Sequence, residues 1–175
     1  KNNINDSIIR INKNIDLLCA VDILFDGNYK TKKNKIKTLL EKYSKRYDLI
    51  LIDTTSECFF DYTKEILEKS DIIIFLLQSN LIELKKSKNL LNIYINKWKI
   101  NKEKINIIIN KENINSIDKK IIKVLFSDFN ILEKIKLNNK FNLAINNNMK
   151  IIDKKIKNNL KKIIKKLNLE EEKNE

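Results

Sequence analysis

The sequence predicts an α/β protein: an open, mostly parallel sheet with helices on both faces. Three observations carry that prediction. Short apolar runs alternate with longer segments of helical periodicity, the βαβα pattern. The runs, at 15–20, 49–52, 72–77 and 105–109, are apolar at mostly consecutive positions, broken only by Asp16 and Asn106, as in strands covered on both faces. Connections of this length between strands close as right-handed parallel crossovers.

The elements follow in order. The run at 15–20 reads as a first strand and 32–46 as a helix. The run at 49–52 reads as a second buried strand, and 59–69 as the helix leading to a third strand at 72–77. In the next helix, 82–98, Leu84, Leu91 and Trp98 recur every seven residues with Ser87 and Ile95 beside them, one face for the sheet and a lysine-bearing face for water. A strand at 105–109 and a helix at 117–126 complete the alternation. In the last segment Ile152, Ile156, Leu160, Ile163 and Leu167 form a clean helical stripe. Its other face carries Lys150, Lys154, Lys155, Lys157, Lys161, Lys162, Lys165 and Lys166 against the single Asp153, over half of the chain's net charge of +13.

There is no internal repeat and no proline linker, so a single domain over 1–169 is expected, ending in the basic helix 150–169 and followed by an acidic tail, 170–175. With 175 residues, folding buries roughly 70% of the surface the unfolded chain exposes, and neither disulfide nor structural metal is needed. Cys19 and Cys58 lie far apart with no CxxC spacing, which fits a reducing compartment. The absence of histidine excludes Ser-His-Asp and Cys-His nucleophiles and a histidine-bound zinc. A single glycine, Gly27, excludes both the GxGxxG turn and the GxxxxGK[ST] phosphate loop within this sequence. No apolar run approaches a membrane span and no signal segment opens the chain, so a cytoplasmic location is expected. A start at lysine instead of methionine suggests a piece of a longer chain.

The positive charge attracts polyphosphate through counterion release, which admits a nonspecific nucleic-acid partner. Of the 36 basic residues, however, only Arg10 and Arg46 are arginine, the side chain that forks onto phosphates and base edges. The terminal helix fits two readings. It packs on the sheet with solvated lysines, or it docks on an anionic membrane, peripheral at the inner face, though without the Trp or Phe anchors common at interfaces.

In open parallel sheets ligands sit beyond the carboxyl ends of the strands. The residues there are Asp53-Thr54-Thr55-Ser56-Glu57, Gln78-Ser79-Asn80 and Asn110-Lys111-Glu112. A strand-end aspartate such as Asp53 holds Mg²⁺ in nucleotide-binding folds, or it caps the next turn or helix. Asn110 offers an acceptor and donors that match a base edge, or it is a turn residue.

The segments from Tyr47 to Glu57, Ser70 to Leu76, Ile107 to Lys111 and Ile131 to Ile135, with Ala144 downstream, together resemble the Walker B strand, the strand after it, the base-reading strand and a late strand of the MinD/ParA family of deviant-Walker ATPases. The resemblance runs from about Ile15 to Ile151, towards the CpaE/TadZ-like pilus-assembly and clostridial-type partition members. It implies a P-loop NTPase-like fold lacking its N-terminal phosphate-loop unit, with ATP and Mg²⁺ as cofactors and a protein partner or self-dimer. It further implies that Asp53 is the Mg²⁺-associated Walker B carboxylate, with Thr54 and Thr55 beside it. Asn110 with Lys111 is implied at the adenine. The departures are Glu57 where the family has glycine, Glu133 and Lys136 in the late strand, and the missing phosphate loop, which either precedes Lys1 or is lost. The functions in competition are an ATP-dependent positioning or assembly factor, a non-hydrolysing scaffold of the same fold, and a DNA-binding module. Alone, the chain is expected neither to hydrolyse ATP nor to bind it tightly, because phosphoryl transfer depends on the missing cradle.

Overall fold

The computed structural model describes residues 8–18, 33–54, 61–147 and 153–169. The chain divides into two compact units, 1–69 and 70–175.

In the first unit, β1 (Ile8–Asn12) and β2 (Ile15–Leu18) form an antiparallel hairpin. Of the run at 15–20, expected as a buried parallel strand, Ile15–Leu18 is here half of an exposed ribbon, and 19–20 lie outside the described residues. The reason is local. Asn12 Oδ1 accepts from the Asn14 N–H at 2.9 Å, and the Arg10 guanidinium donates to the carbonyls of Asn12 and Lys13 at 2.8 and 2.7 Å, closing a two-residue turn. One face of the ribbon carries Asp16, which accepts from the Tyr47 hydroxyl at 2.6 Å and pairs with Arg10 at 3.3 Å and Arg46 at 3.9 Å. That hydrogen bond raises the Tyr47 phenol above its ordinary value. Helix α1 (Lys33–Tyr43) packs on α2 (Asp61–Lys69) through Ile36, Leu40, Tyr62 and Ile66.

The expected strand at 49–52 does not form. Leu49, Ile50, Leu51 and Ile52 are all exposed, Leu51 by 83%, and no backbone ladder holds them. Four apolar residues specify a strand only when a neighbouring strand takes their N–H and C=O groups. Among the described residues none does.

The second unit holds the parallel sheet. Its strands β3 (Ile73–Gln78), β4 (Ile105–Glu112) and β5 (Asn130–Lys136) lie in the order β3-β4-β5 with β4 central. The predicted strands at 72–77 and 105–109 are thus present, and the coarse α/β class holds for this unit with three strands. Two parallel crossovers carry α3 (Leu81–Asn92) and α4 (Lys119–Leu125), and the right-handed rule for such connections puts both on one face. There Ile73, Leu77, Ile105, Ile107 and Ile109 are buried, and Phe75 meets the Tyr94 ring edge-on at 6.4 Å. Helix α3 starts on Asn80, whose Oδ1 accepts from the Glu83 N–H at 3.0 Å. It runs on into a π-helical turn, Ile93–Lys97, that stacks Trp98 on Tyr94 with centroids 5.0 Å apart. Leu84, Ser87 and Leu91 are buried, as the seven-residue spacing predicts.

The opposite face is covered by α6 (Lys154–Lys166), which follows the short helix α5 (Asn139–Asn146). Ile163 packs on Ile108 and Leu132, with Ile135 and Leu167 around them. The helix thus packs the C-terminal part of its apolar stripe on the sheet, while Leu160 is exposed. It begins on Asp153, whose Oδ1 accepts from the N–H groups of Lys155 and Ile156 at 2.8 and 3.1 Å. These bonds, that of Ile156 first and then one from the Asn138 amide, hold the Asp153 carboxyl below its usual range. No helix among the described residues is long and apolar enough to cross a membrane.

Candidate functional site at the carboxyl end of the parallel sheet

The parallel ladder pairs Gln78 with Asn110, so β3 and β4 deliver Gln78, Ser79, Asn110 and Lys111 to one end of the sheet. The β4–β5 ladder is interrupted there and resumes at Glu112, which pairs with Lys136. The β4–β5 register shifts between Ile109 and Glu112, and Lys111 has a φ of 57°, a left-handed conformation disfavoured for a residue with a Cβ. Such a bulge turns the side chains beyond it out of the pleat.

Asn110 Oδ1 accepts from the Lys111 N–H at 2.9 Å, which fixes the orientation of its amide. Its Nδ2 makes no hydrogen bond among the described residues and is available to an incoming acceptor. Beside it, the Ser79 carbonyl accepts from the Ile117 N–H at 2.9 Å, tying the β3 end to the loop before α4. The Ser79 hydroxyl is buried and has no hydrogen-bond partner among the described residues. Glu112 turns away from this end and pairs with Lys134 of β5 at 2.9 Å. The Leu137 N–H donates to the Glu112 carbonyl at 2.9 Å and fastens the bulge to the end of β5.

The sequence places five residues at a nucleotide site. Asn110 and Lys111 stand together at the end of β4. Asp53 is exposed and Thr54 half-buried, both in the first unit, and Thr55 lies outside the described residues. No group of three or more histidines, cysteines, aspartates or glutamates is placed to hold a metal ion among the described residues. A lone exposed carboxylate is a poor Mg²⁺ site, since this ion needs several oxygen ligands or the phosphates of a substrate. The described residues therefore do not fit a bound Mg²⁺.

Sequence reasoning missed the Lys111 bulge and the buried Ser79 hydroxyl. A positive φ at a lysine leaves no signal in composition or periodicity. A cleft of about 240 Å³ between α4, β5 and α6 is lined by Lys119, Lys123, Lys134 and Lys166 with Glu133. Lys166 is already engaged there, with the Leu132 carbonyl and, at 3.6 Å, with Glu133. The sequence matches no protein-family model, no curated protein and no solved structure.

Proposed function

We propose that this chain is the later part of a MinD/ParA-like ATP-binding positioning or assembly factor, and that the carboxyl end of β4 is its base-reading edge. The observation that supports the reading is Asn110: a fixed side-chain amide with a free donor, at the end of the central strand of a parallel sheet. That is where open α/β sheets bind ligands. The Asn110 Nδ2 donates to a ring nitrogen of adenine, and its carbonyl oxygen has a second lone pair for the exocyclic amine. Lys111 adds positive charge beside it. The phosphate cradle, which supplies most charge-assisted hydrogen bonds to a nucleotide, comes from a loop outside this sequence.

The test compares base recognition with phosphate recognition. Calorimetric titration of the 175-residue chain with Mg·ATP is expected to show no tight binding, and saturation-transfer NMR with adenosine is expected to show weak contact that Asn110→Ala abolishes. Micromolar ATP binding that survives Asn110→Ala would place the site elsewhere and sink the assignment. So would adenosine contact that Asn110→Ala leaves unchanged.

A second reading, a non-hydrolysing scaffold of the same fold, is favoured by one observation: Asp53, the implied metal carboxylate, stands without companion ligands among the described residues. In that reading the chain acts through protein contacts.

A further inference from the structure

The two faces of the parallel sheet are covered unequally. In a parallel ladder, register partners point to the same face, so Leu76, paired with Ile108, lies on the face that α6 covers. Ile108 is 4% exposed beneath Ile163, whereas Leu76 beside it is 60% exposed and Ile74, next on the same face, 42%. The cover ends between β4 and β3.

Helix α6 forms one wall of the resulting groove. Successive residues turn about 100° around a helix axis. Asn159 and Lys166 lie on one flank and reach carbonyls of β5, those of Lys134 and Leu132. Ile163 points at the sheet. On the other flank, turned away from β5 and so towards β3, come Leu160 and Ile164, exposed by 50% and 42%. Above them on the same flank stand Lys157 and Lys161, which make no ion pair among the described residues. The groove therefore has a floor of Ile74 and Leu76, a wall of Leu160 and Ile164, and a rim of two unpaired lysines.

Its width selects the occupant. Neighbouring strands are about 4.8 Å apart, so β3 lies about 10 Å from β5, and packed helices are about 8–10 Å apart. A helix resting on β3 alongside α6 has the spacing of an ordinary helix pair. A strand or a flat surface would leave either the Leu160–Ile164 wall or the floor in water. Parallel sheets are as a rule covered on both faces, and on this half Ile74 and Leu76 are exposed.

We propose that this groove binds an amphipathic helix of a protein partner, its apolar stripe on Ile74, Leu76, Leu160 and Ile164 and its acidic flank against Lys157 and Lys161. Apolar burial supplies the affinity and the lysine rim sets the orientation. The surface is separate from the end of β4, and its occupancy does not depend on nucleotide.

The probe is a fluorescent helical peptide of about 18 residues with a leucine stripe flanked by glutamates, read by anisotropy against the full chain. Its counterpart carries lysines in place of the glutamates. The acidic peptide is expected to bind, with affinity falling as salt is raised, and the lysine peptide to bind at least about tenfold more weakly. Leu76→Glu and Ile164→Glu, both at exposed positions and checked for unchanged circular dichroism, are expected to lower affinity at least about tenfold. Lys157→Glu with Lys161→Glu should remove the preference between the two peptides. Val124→Glu, at an exposed apolar position of α4, should change nothing. Equal binding of both peptides, an equal loss in Val124→Glu, or no binding of the acidic peptide would overturn the proposal. A chain that dimerises in sedimentation and is made monomeric by Leu76→Glu would assign the groove to a second copy instead.

Discussion

Two apolar runs of nearly the same character meet opposite fates in this protein. Leu49 to Ile52 is exposed and unladdered, whereas Ile105 to Ile109 is the buried centre of the sheet. Local preference cannot separate them, because both are leucine- or isoleucine-rich and both precede a polar strand-end residue. The difference is company. The second run has a strand on each side and helices on both faces, so its backbone groups are paired and its side chains leave water together. A single run of four has nothing to pair with. The same contrast recurs inside the sheet, where Ile108 is covered and its register partner Leu76 is not.

The largest expected effect tests that contrast at its extremes. Ile107→Ala, at a fully buried site on β4, is expected to cost about 2–5 kcal/mol in urea denaturation. Leu51→Ala should stay within about 0.5 kcal/mol. A comparable loss at both positions would mean that the 49–52 run is buried in solution.

Within the covered face, Ile163→Ala removes the contact of α6 with Ile108 and Leu132 and should cost about 2–4 kcal/mol. Leu76→Ala, on the open half, should cost less than about 1 kcal/mol. If the two agree, the groove beside α6 is closed in solution. A smaller effect is expected at the bulge: Lys111→Val forces a β-branched side chain into a left-handed conformation and should cost about 1–2 kcal/mol, while Lys111→Gly is tolerated.

The smallest concerns the anchor of α6. The Asp153 carboxyl is held below its usual range in the folded chain, so its contribution to stability is present above the ordinary carboxylate pKa and is lost as pH falls through the lowered folded value. Asp153→Asn keeps a capping oxygen but cannot titrate. The urea midpoint of the parent should therefore fall more steeply with acidification than that of the variant, and parallel curves would dismiss the role given to Asp153.

Much of the second unit was legible in the sequence. Seven-residue spacing located Leu84 and Leu91 on the buried face of α3, whereas Trp98, beyond the π-helical turn, is half-buried against Tyr94. The stripe of α6 was visible in the steps from Ile156 to Leu167, although only Ile163 of it is fully buried. These succeed because a helix or a doubly covered strand writes its own burial into its period. The position of Asn110 at the end of β4 was legible for the same reason, since the apolar run stops where it appears. The hairpin at Ile8 to Leu18 was missed, because its turn is built by Asn12 and the Arg10 side chain rather than by an Asn-Gly pair.

By itself the sequence determined where α3, α4 and α6 lie in the second unit and which end of the parallel sheet carries polar side chains, because these follow from side-chain period and from the polarity of strand ends; the short helix α5 was not legible. Only the tertiary structure decided which apolar runs find a neighbour. Strand pairing satisfies backbone groups across chain-distant segments, and a helix covers only the residues beneath it. So Ile108 lies under Ile163 while Leu76 stays open, and Lys111 takes a left-handed backbone at the bulge where the β4–β5 register shifts.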